Sequence, residues 1–435
     1  MGDVQEGDAL IDERGQPCRV TFATPVQYER DCYRVTFADG AQIIADAEHQ
    51  WTVYSRAKHG KKLTLTTQQM ADDFVLPCSR ADRVERNYSV DVAGPVECAD
   101  ADLSIPPYTF GAWLGDGSAS KAQITCHPDD AGVLKEIEKE GVPVRPTKDP
   151  NQWSFSDGKK NRTKECTQKD LQALDVLNNK HIPMRYLRAS VDQRMALLQG
   201  LMDTDGFASK AGQCELVSIH EPLAKNILEL VRSLGFKASL KQDRARIDGR
   251  DCGARYRIQF WAYSDAPVFR LQRKAERLKD RPAHSRNARN YITGIEPVDS
   301  VPVRCIQVDS PSSLFLAGEA FTPTHNTALI AALVLAHLIG PEAIQNGEIY
   351  SAANDRDQAG QVFKVAAQIV RADPELDAML KVVDSTKTIV CYGNGSAYRA
   401  ISAEAGTKHG LNPSMVIYDE LAQAKTRSLY DVLDT

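Results

Sequence analysis

The sequence predicts a multidomain chain: an all-β unit split by an α+β insertion, with an α/β segment at its C-terminal end. Three observations predict it. Short apolar runs separated by turn residues fill residues 1–98 and return at 290–326. Between 99 and 289 amphipathic helical stretches alternate with strand-like runs, and from Thr327 apolar helices alternate with strands. A chain of 435 residues has length for about two to four domains, each with its own core.

In the first β segment the runs are Cys18–Phe22, Cys32–Phe37, Ile43–Ala45 and Trp51–Tyr54, with turn signals at Asp12-Glu13-Arg14-Gly15 and Ala38-Asp39-Gly40. The insertion carries helical stretches at Met195–Met202 and Glu221–Leu234 and a strand at Tyr256–Phe260. The β pattern resumes in Tyr291–Ile295, Val303–Val308 and Leu314–Leu316, so one β domain interrupted by an insertion is the economical reading. Beyond Thr327 come an Ala/Leu-rich helix stopped by Gly340-Pro341, a strand at Glu348–Tyr350, a helix over 355–371, a hairpin around Gly393-Asn394-Gly395 and the apolar run Met415–Tyr418.

Composition narrows the function. Hydrophobic content of 42% and charged content of 26% are those of ordinary globular protein. The net charge of −5 hides an asymmetry: residues 101–300 hold 32 Lys and Arg against 26 Asp and Glu, and residues 231–290 hold 16 against 6. A local basic excess in an acidic chain is the footprint of a nucleic-acid-binding module, and equally of a solvated charged face. Ten cysteines without a Cys-x-x-Cys pair exclude the usual zinc spacings and point to a reduced, cytoplasmic chain. The apolar run Ala328–Ile339 is too short for a membrane span, so neither export nor a membrane role is expected.

Two segments end alike, Phe110-Gly111-Ala112-Trp113-Leu114-Gly115-Asp116-Gly117 and Leu198-Gln199-Gly200-Leu201-Met202-Asp203-Thr204-Asp205-Gly206. Each reads as an apolar helix with glycine at close-packing positions, finishing in an acid and a helix-stopping glycine. If the helices pack through Gly111, Gly115 and Gly200, Asp116 and Asp205 meet at the midline, where two carboxylates can hold Mg²⁺ over DNA. The second segment resembles the LAGLIDADG homing-endonuclease motif at nearly every position. The first is looser, with Thr109 and Leu114 where the family often has Leu and Asp. Two motifs 89 positions apart match the family's single-chain pseudo-dimer. The resemblance implies a Mg²⁺-dependent nuclease acting on double-stranded DNA, with Asp116 and Asp205 as catalytic metal ligands. Asn179-Lys180-His181-Ile182-Pro183 is similar to the family's Lys-x-Ile-Pro segment and implies an active-site role for Lys180. The basic residues Lys237, Lys241, Arg244, Arg246, Arg250, Arg255 and Arg257 are candidate DNA contacts.

The flanking β segments resemble the splicing (Hint) domain of inteins. The segment Val303–Asn326 ends Phe321-Thr322-Pro323-Thr324-His325-Asn326 before Thr327. An asparagine amide can attack its own backbone carbonyl, forming a succinimide and releasing Thr327. His325 can donate a proton to the departing amine, and the Thr327 hydroxyl is the acyl acceptor of complete inteins. Ala45-Asp46-Ala47-Glu48-His49 resembles the block whose histidine activates the upstream junction, with Asp46 where threonine is usual. Cys305 stands where inteins place an aspartate or a cysteine that coordinates the two cleavages. At the start, Val4–Ile11 resembles the strand that follows the N-terminal nucleophile block. The nucleophile is therefore expected upstream, through a late gene start or on another polypeptide as a splicing partner, and unaided splicing is not expected.

Met415-Val416-Ile417-Tyr418-Asp419-Glu420 reads as a strand followed by two acids, the pattern of a Walker B site, where the aspartate orients Mg²⁺ and the glutamate activates water. With Asp384–Lys387, Ser396–Ala400, Thr407–Pro413 and Asp419–Gln423 it resembles the ATPase domain of phage terminase large subunits, a P-loop fold. Thr327 would follow the lysine of the phosphate-binding loop, so ATP binding is expected only of the complete host protein. The expected organisation is a splicing domain in two parts (1–98 and 290–326), a two-repeat endonuclease (99–289) and a terminase ATPase fragment (327–435), in the cytoplasm of a bacterial host. The alternatives are an ATP-driven DNA-packaging subunit or an inactive remnant.

Overall fold

The structure is a computed structural model. It describes residues 2–77, 84–156, 167–247, 250–283, 286–325, 328–353, 360, 362–363, 366–367, 369–371, 373–402 and 412–418.

The β unit is assembled from both ends of its sequence. Strand Cys32–Phe37 turns at Ala38-Asp39-Gly40, where Gly40 takes φ +87°, and pairs antiparallel with Gln42–Asp46. Its other edge pairs with Arg289–Val298, from beyond the insertion. That strand also pairs, through Arg289–Tyr291, with Tyr88–Asp91, and Gln50–Ser55 and Lys61–Thr66 complete six strands. Alternation buries one face, so Val35, Phe37, Trp51, Val53, Val90 and Ile292 form a common core. A second small sheet joins Ala9–Ile11, Pro17–Ala23 and Ile306–Val308, and packs with the hairpin Leu314–Ala317/Thr322–His325 around Val20, Val308 and Phe315. The insertion leaves and re-enters at one place: the Val92 amide donates to the Ala288 carbonyl at 3.0 Å.

The insertion is two similar halves around one core. Helix Pro107–Asp116 is followed by a three-stranded sheet ordered Gln123–Thr125, Gln152–Phe155, Val144–Pro146, with helix Gly132–Lys139 between. Helix Val191–Thr204 is followed by four strands ordered Phe207–Ala208, Gln213–Ser218, Arg250–Trp261, Ala238–Ile247, with helix Glu221–Ser233 between. Farther along the chain, Glu348–Ala353 pairs in parallel with Ala397–Ser402 and Pro413–Tyr418, and Leu380–Val383 and Thr388–Cys391 extend the sheet antiparallel. Helix Ala328–Ile339 precedes this sheet.

Two local expectations fail. The run from Val303 is not one continuous strand: Val303 bridges Gln27 and Ile306–Val308 is strand, while Arg304 between them donates to the carbonyls of Thr24, Gly2 and Val4. A helix, Thr67–Asp72, sits inside the β unit, started by a capping box between Thr66 and Gln69. Of the helix expected over 355–371, residues 355–359, 361, 364, 365 and 368 lie outside the described set.

Candidate functional sites

The two glycine helices touch through backbone. A Cβ on Gly111 would overlap the Leu197 carbonyl, one on Gly200 the Tyr108 carbonyl, and one on Gly115 the Thr204 hydroxyl. Only glycine permits this approach, which places the ends of both helices side by side. Each start is anchored. The Glu140 carboxylate accepts from the Thr109 amide and hydroxyl, both at 2.9 Å, and a capping box at Ser190 and Gln193 opens the second helix. Tyr108 Oη donates to the buried Asp203 at 2.8 Å, and Asp203 also accepts from the amides of Arg270 and Leu271. Asp203 is therefore a bolt between the halves, and Leu114 at its counterpart position in the first motif is simply core.

Asp116 and Asp205 meet where the helices end. Burial, then the charge of Asp205, pushes the Asp116 carboxyl up to about 6, with Lys274 and Lys180 opposing. Burial also raises Asp205, against the same two lysines. Lys180 Nζ donates to the carbonyls of Leu114, Gly115 and Gly117 at 2.8–3.0 Å, capping the first helix end. Lys274 Nζ donates likewise to Met202, Asp203, Thr204 and Gly206. Burial lowers both lysines, and the acids resist it. Sequence reasoning found Lys180 and missed Lys274, which has no Lys-x-Ile-Pro context. Its one signal was spacing: Lys180 follows Asp116 by 64 residues and Lys274 follows Asp205 by 69.

Among the described residues no group of three or more His, Cys, Asp or Glu could hold a metal. The donor set is two carboxylates held together against their own repulsion, beside lysine-capped helix ends. This fits Mg²⁺, which commonly takes one or two protein carboxylates and completes its shell with water and substrate phosphate.

The basic candidates separate. Register places Lys241, Arg255 and Arg257 with Asp243, Glu215 and Gln259 on the sheet face opposite the buried Tyr256, Ile258 and Phe260. Arg255 pairs with Asp243, and Arg257 bridges Glu215 at 2.6 Å and Asp243 at 3.5 Å. Arg244 and Arg246 flank a bulge, with Arg244 tied to Asp251 at 2.6 Å, and Arg246 and Arg250 lie toward the hairpin end. Lys237 is not brought to this face. Its Nζ donates to the Arg289 carbonyl at 3.0 Å and lies over the Tyr291 ring, against the β unit.

In the β unit, His49 packs edge-on against Trp51 and its Nε2 bonds the Thr324 hydroxyl, on the strand ending at His325. Burial lowers its pKa to about 4, so the ring is neutral at pH 7. Cys305 is reached by water, yet it is crowded enough, beside Asp46, for its thiol to be raised. His325 pairs in register with Leu314. Asn326, Thr327, Asp419 and Glu420 lie outside the described residues.

Residues 181–264 match the homing endonuclease family model, and residues 324–435 match that of the terminase large subunit ATPase domain. The chain is 36% identical over 348 residues to the replicative DNA helicase DnaB of Mycobacterium intracellulare, covering 75% of this chain and 56% of that protein. It is 42% identical over 99 residues to the terminase large subunit of Enterobacteria phage HK97, covering 23% and 20%. It thus spans about half the length of the first relative and a fifth of the second. A crystal structure of the MchDnaB-1 intein aligns over 75% of this chain and 88% of that one, at 16% identity and a TM-score of 0.22, too loose a likeness to argue from. One chain thus carries a region similar to homing endonucleases, followed by a region similar to the terminase large subunit ATPase domain.

Proposed function

We propose that residues 99–289 are a LAGLIDADG-type endonuclease that makes Mg²⁺-dependent double-strand breaks. The target is DNA resembling an uninterrupted terminase gene around its phosphate-binding-loop codons. The observation that carries this reading is the backbone contact of the two glycine helices, which gathers Asp116, Asp205, Lys180 and Lys274 at one midline. Asp116 and Asp205 would hold the Mg²⁺, which when bound would supply Lewis acidity to lower the pKa of water and stabilise the leaving oxygen. The chain's own part is positioning. Asp116 and Asp205 fix the site, and the lysines hold both helix ends and offer positive charge to the phosphate. The face bearing Lys241, Arg255 and Arg257 lies along the duplex. Asp116→Asn and Asp205→Asn should each abolish double-strand cleavage while changing DNA affinity by less than about threefold. Cleavage by either variant at the wild-type rate would remove the acids from the mechanism.

We further propose autocatalytic peptide cleavage at Asn326-Thr327. The strand Thr322–His325 leads directly to Asn326, His325 is the proton donor to the departing amine, and the neutral His49 bonds Thr324 on that strand. Incubation followed by intact-mass measurement should give a fragment beginning at Thr327 and a partner ending in succinimide or asparagine, with Asn326→Ala blocking both. An unchanged mass over days at neutral pH would overturn this. In the complete host protein, Asp419 and Glu420 are proposed to serve Mg²⁺ and water at an ATP site.

A further inference from the structure

The endonuclease and the β unit share a buried contact that neither function explains. Arg232, on helix Glu221–Ser233, pairs with Asp39 at 3.6 Å and donates to the Asp39 carbonyl at 3.1 Å, both side chains being more than nine-tenths buried. Asp39 is the turn residue of the hairpin that receives strand Arg289–Val298, and its carboxylate also accepts from the Ala41 amide at 3.0 Å. Just beyond helix Glu221–Ser233, Lys237 reaches the Arg289 carbonyl. These groups and Asn290 wall a cavity of about 20 Å³, room for one or two waters. Its other wall is Ala320–Pro323, the turn and first strand residues of the hairpin that ends at His325. Asn290 Oδ1 is buried there without a partner among the described residues. Arg232 and Lys225, two turns apart on one helix, also both feel the charge of Glu319 in the hairpin turn.

A buried ion pair crossing between domains is a poor source of net stability, since desolvation consumes most of the Coulomb gain. Its geometry does, however, permit one relative placement and penalises others. The Asp39 turn that it fixes shares this small cavity with residues 320–323 of the hairpin Leu314–His325. We propose that helix Glu221–Ser233 of the endonuclease is a positioning element for that hairpin, with Arg232 as the positioning residue, so that the nuclease domain is a structural part of the peptide-cleavage site. This rests on the reading that the hairpin leads into that site.

The test compares the full chain with Arg232→Met, Arg232→Lys and the doubly neutral Arg232→Met with Asp39→Asn, by residue-resolved amide exchange and by tail release. In Arg232→Met the amides of Thr322 and Thr324 should exchange roughly tenfold faster, while those of helices Pro107–Asp116 and Val191–Thr204 keep wild-type protection. Tail release should slow in parallel, DNA cleavage should stay within about twofold, and Arg232→Lys should recover part of both losses. Hairpin exchange within about twofold of wild type in both the single and the doubly neutral variants would overturn the proposal. If Arg232→Met loses protection everywhere, the doubly neutral variant, which buries no orphan charge, decides by the same two readouts. If the wild-type chain releases no tail, the peptide-cleavage reading falls while hairpin exchange still decides the coupling.

Discussion

At Asp116 a carboxylate is kept where its charge is disfavoured by burial and by a second acid. Its folded-state value of about 6 lies above the ordinary value of 3.8, so its contribution to stability is complete below about pH 4 and is lost as pH rises through about 6. Asp116→Asn should therefore be more stable than wild type at pH 7, by on the order of 1 kcal/mol once solvent screening is allowed for. Urea unfolding at pH 7 and pH 4 checks this, with the difference closing at the lower pH. On the proposed mechanism cleavage runs the other way: wild-type turnover should climb with pH over the range in which Asp116 ionises, because an ionised carboxylate is the form that would hold Mg²⁺. The meeting of the two acids was legible in the sequence, each standing at a helix end immediately before glycine. Lys274 was not, because its role is set by where a distant loop returns its amine, and no local pattern encodes that.

Among the elements, the glycine helices are the most constrained. Gly200→Ala would drive a methyl into the Tyr108 carbonyl and the Ala112 amide, so the helices must part, and the cost should be about 3 kcal/mol or more. Gly294→Ala is the control: a Cβ there meets nothing closer than 3.7 Å, and the cost should stay below about 1 kcal/mol. Thermal melts of the two variants separate these outcomes; equal losses would mean that the close approach is not what glycine serves. The strand Cys32–Phe37, with its alternating Tyr33, Val35 and Phe37, was legible residue for residue. The run from Val303 was not, since its apolar residues gave no hint that Arg304 would turn toward three carbonyls of the N-terminal segment. Thr67–Asp72 was missed although its capping box stands in the sequence, because the surrounding β pattern outweighed six residues.

For the whole molecule, the basic excess of residues 231–290 divides between two tasks that charge counting merges. Lys241, Arg255 and Arg257 share an outward sheet face, whereas Lys237 and Arg232 are turned to the β unit. Replacing the first three by Ala should flatten the plot of log affinity against log salt by about 0.9 for each phosphate no longer neutralised, and Lys237→Ala should leave that slope unchanged. Equal effects would relocate the DNA surface. The strand Arg289–Val298 has another consequence, one of timing. It is the partner that the free edge of Cys32–Phe37 must await while some 250 further residues are synthesised. At about 5–20 residues per second on the ribosome, that edge stays open for roughly 12–50 s. Closing so long a loop from a flexible chain costs about 5 kcal/mol of entropy. Because Val92 and Ala288 are hydrogen-bonded neighbours, an insertion that has already folded delivers the late strand to its place and removes most of that cost. The nascent β unit thus depends on its passenger to finish first, and a variant that slows folding of the insertion lengthens the interval in which an exposed strand edge can pair with the wrong chain.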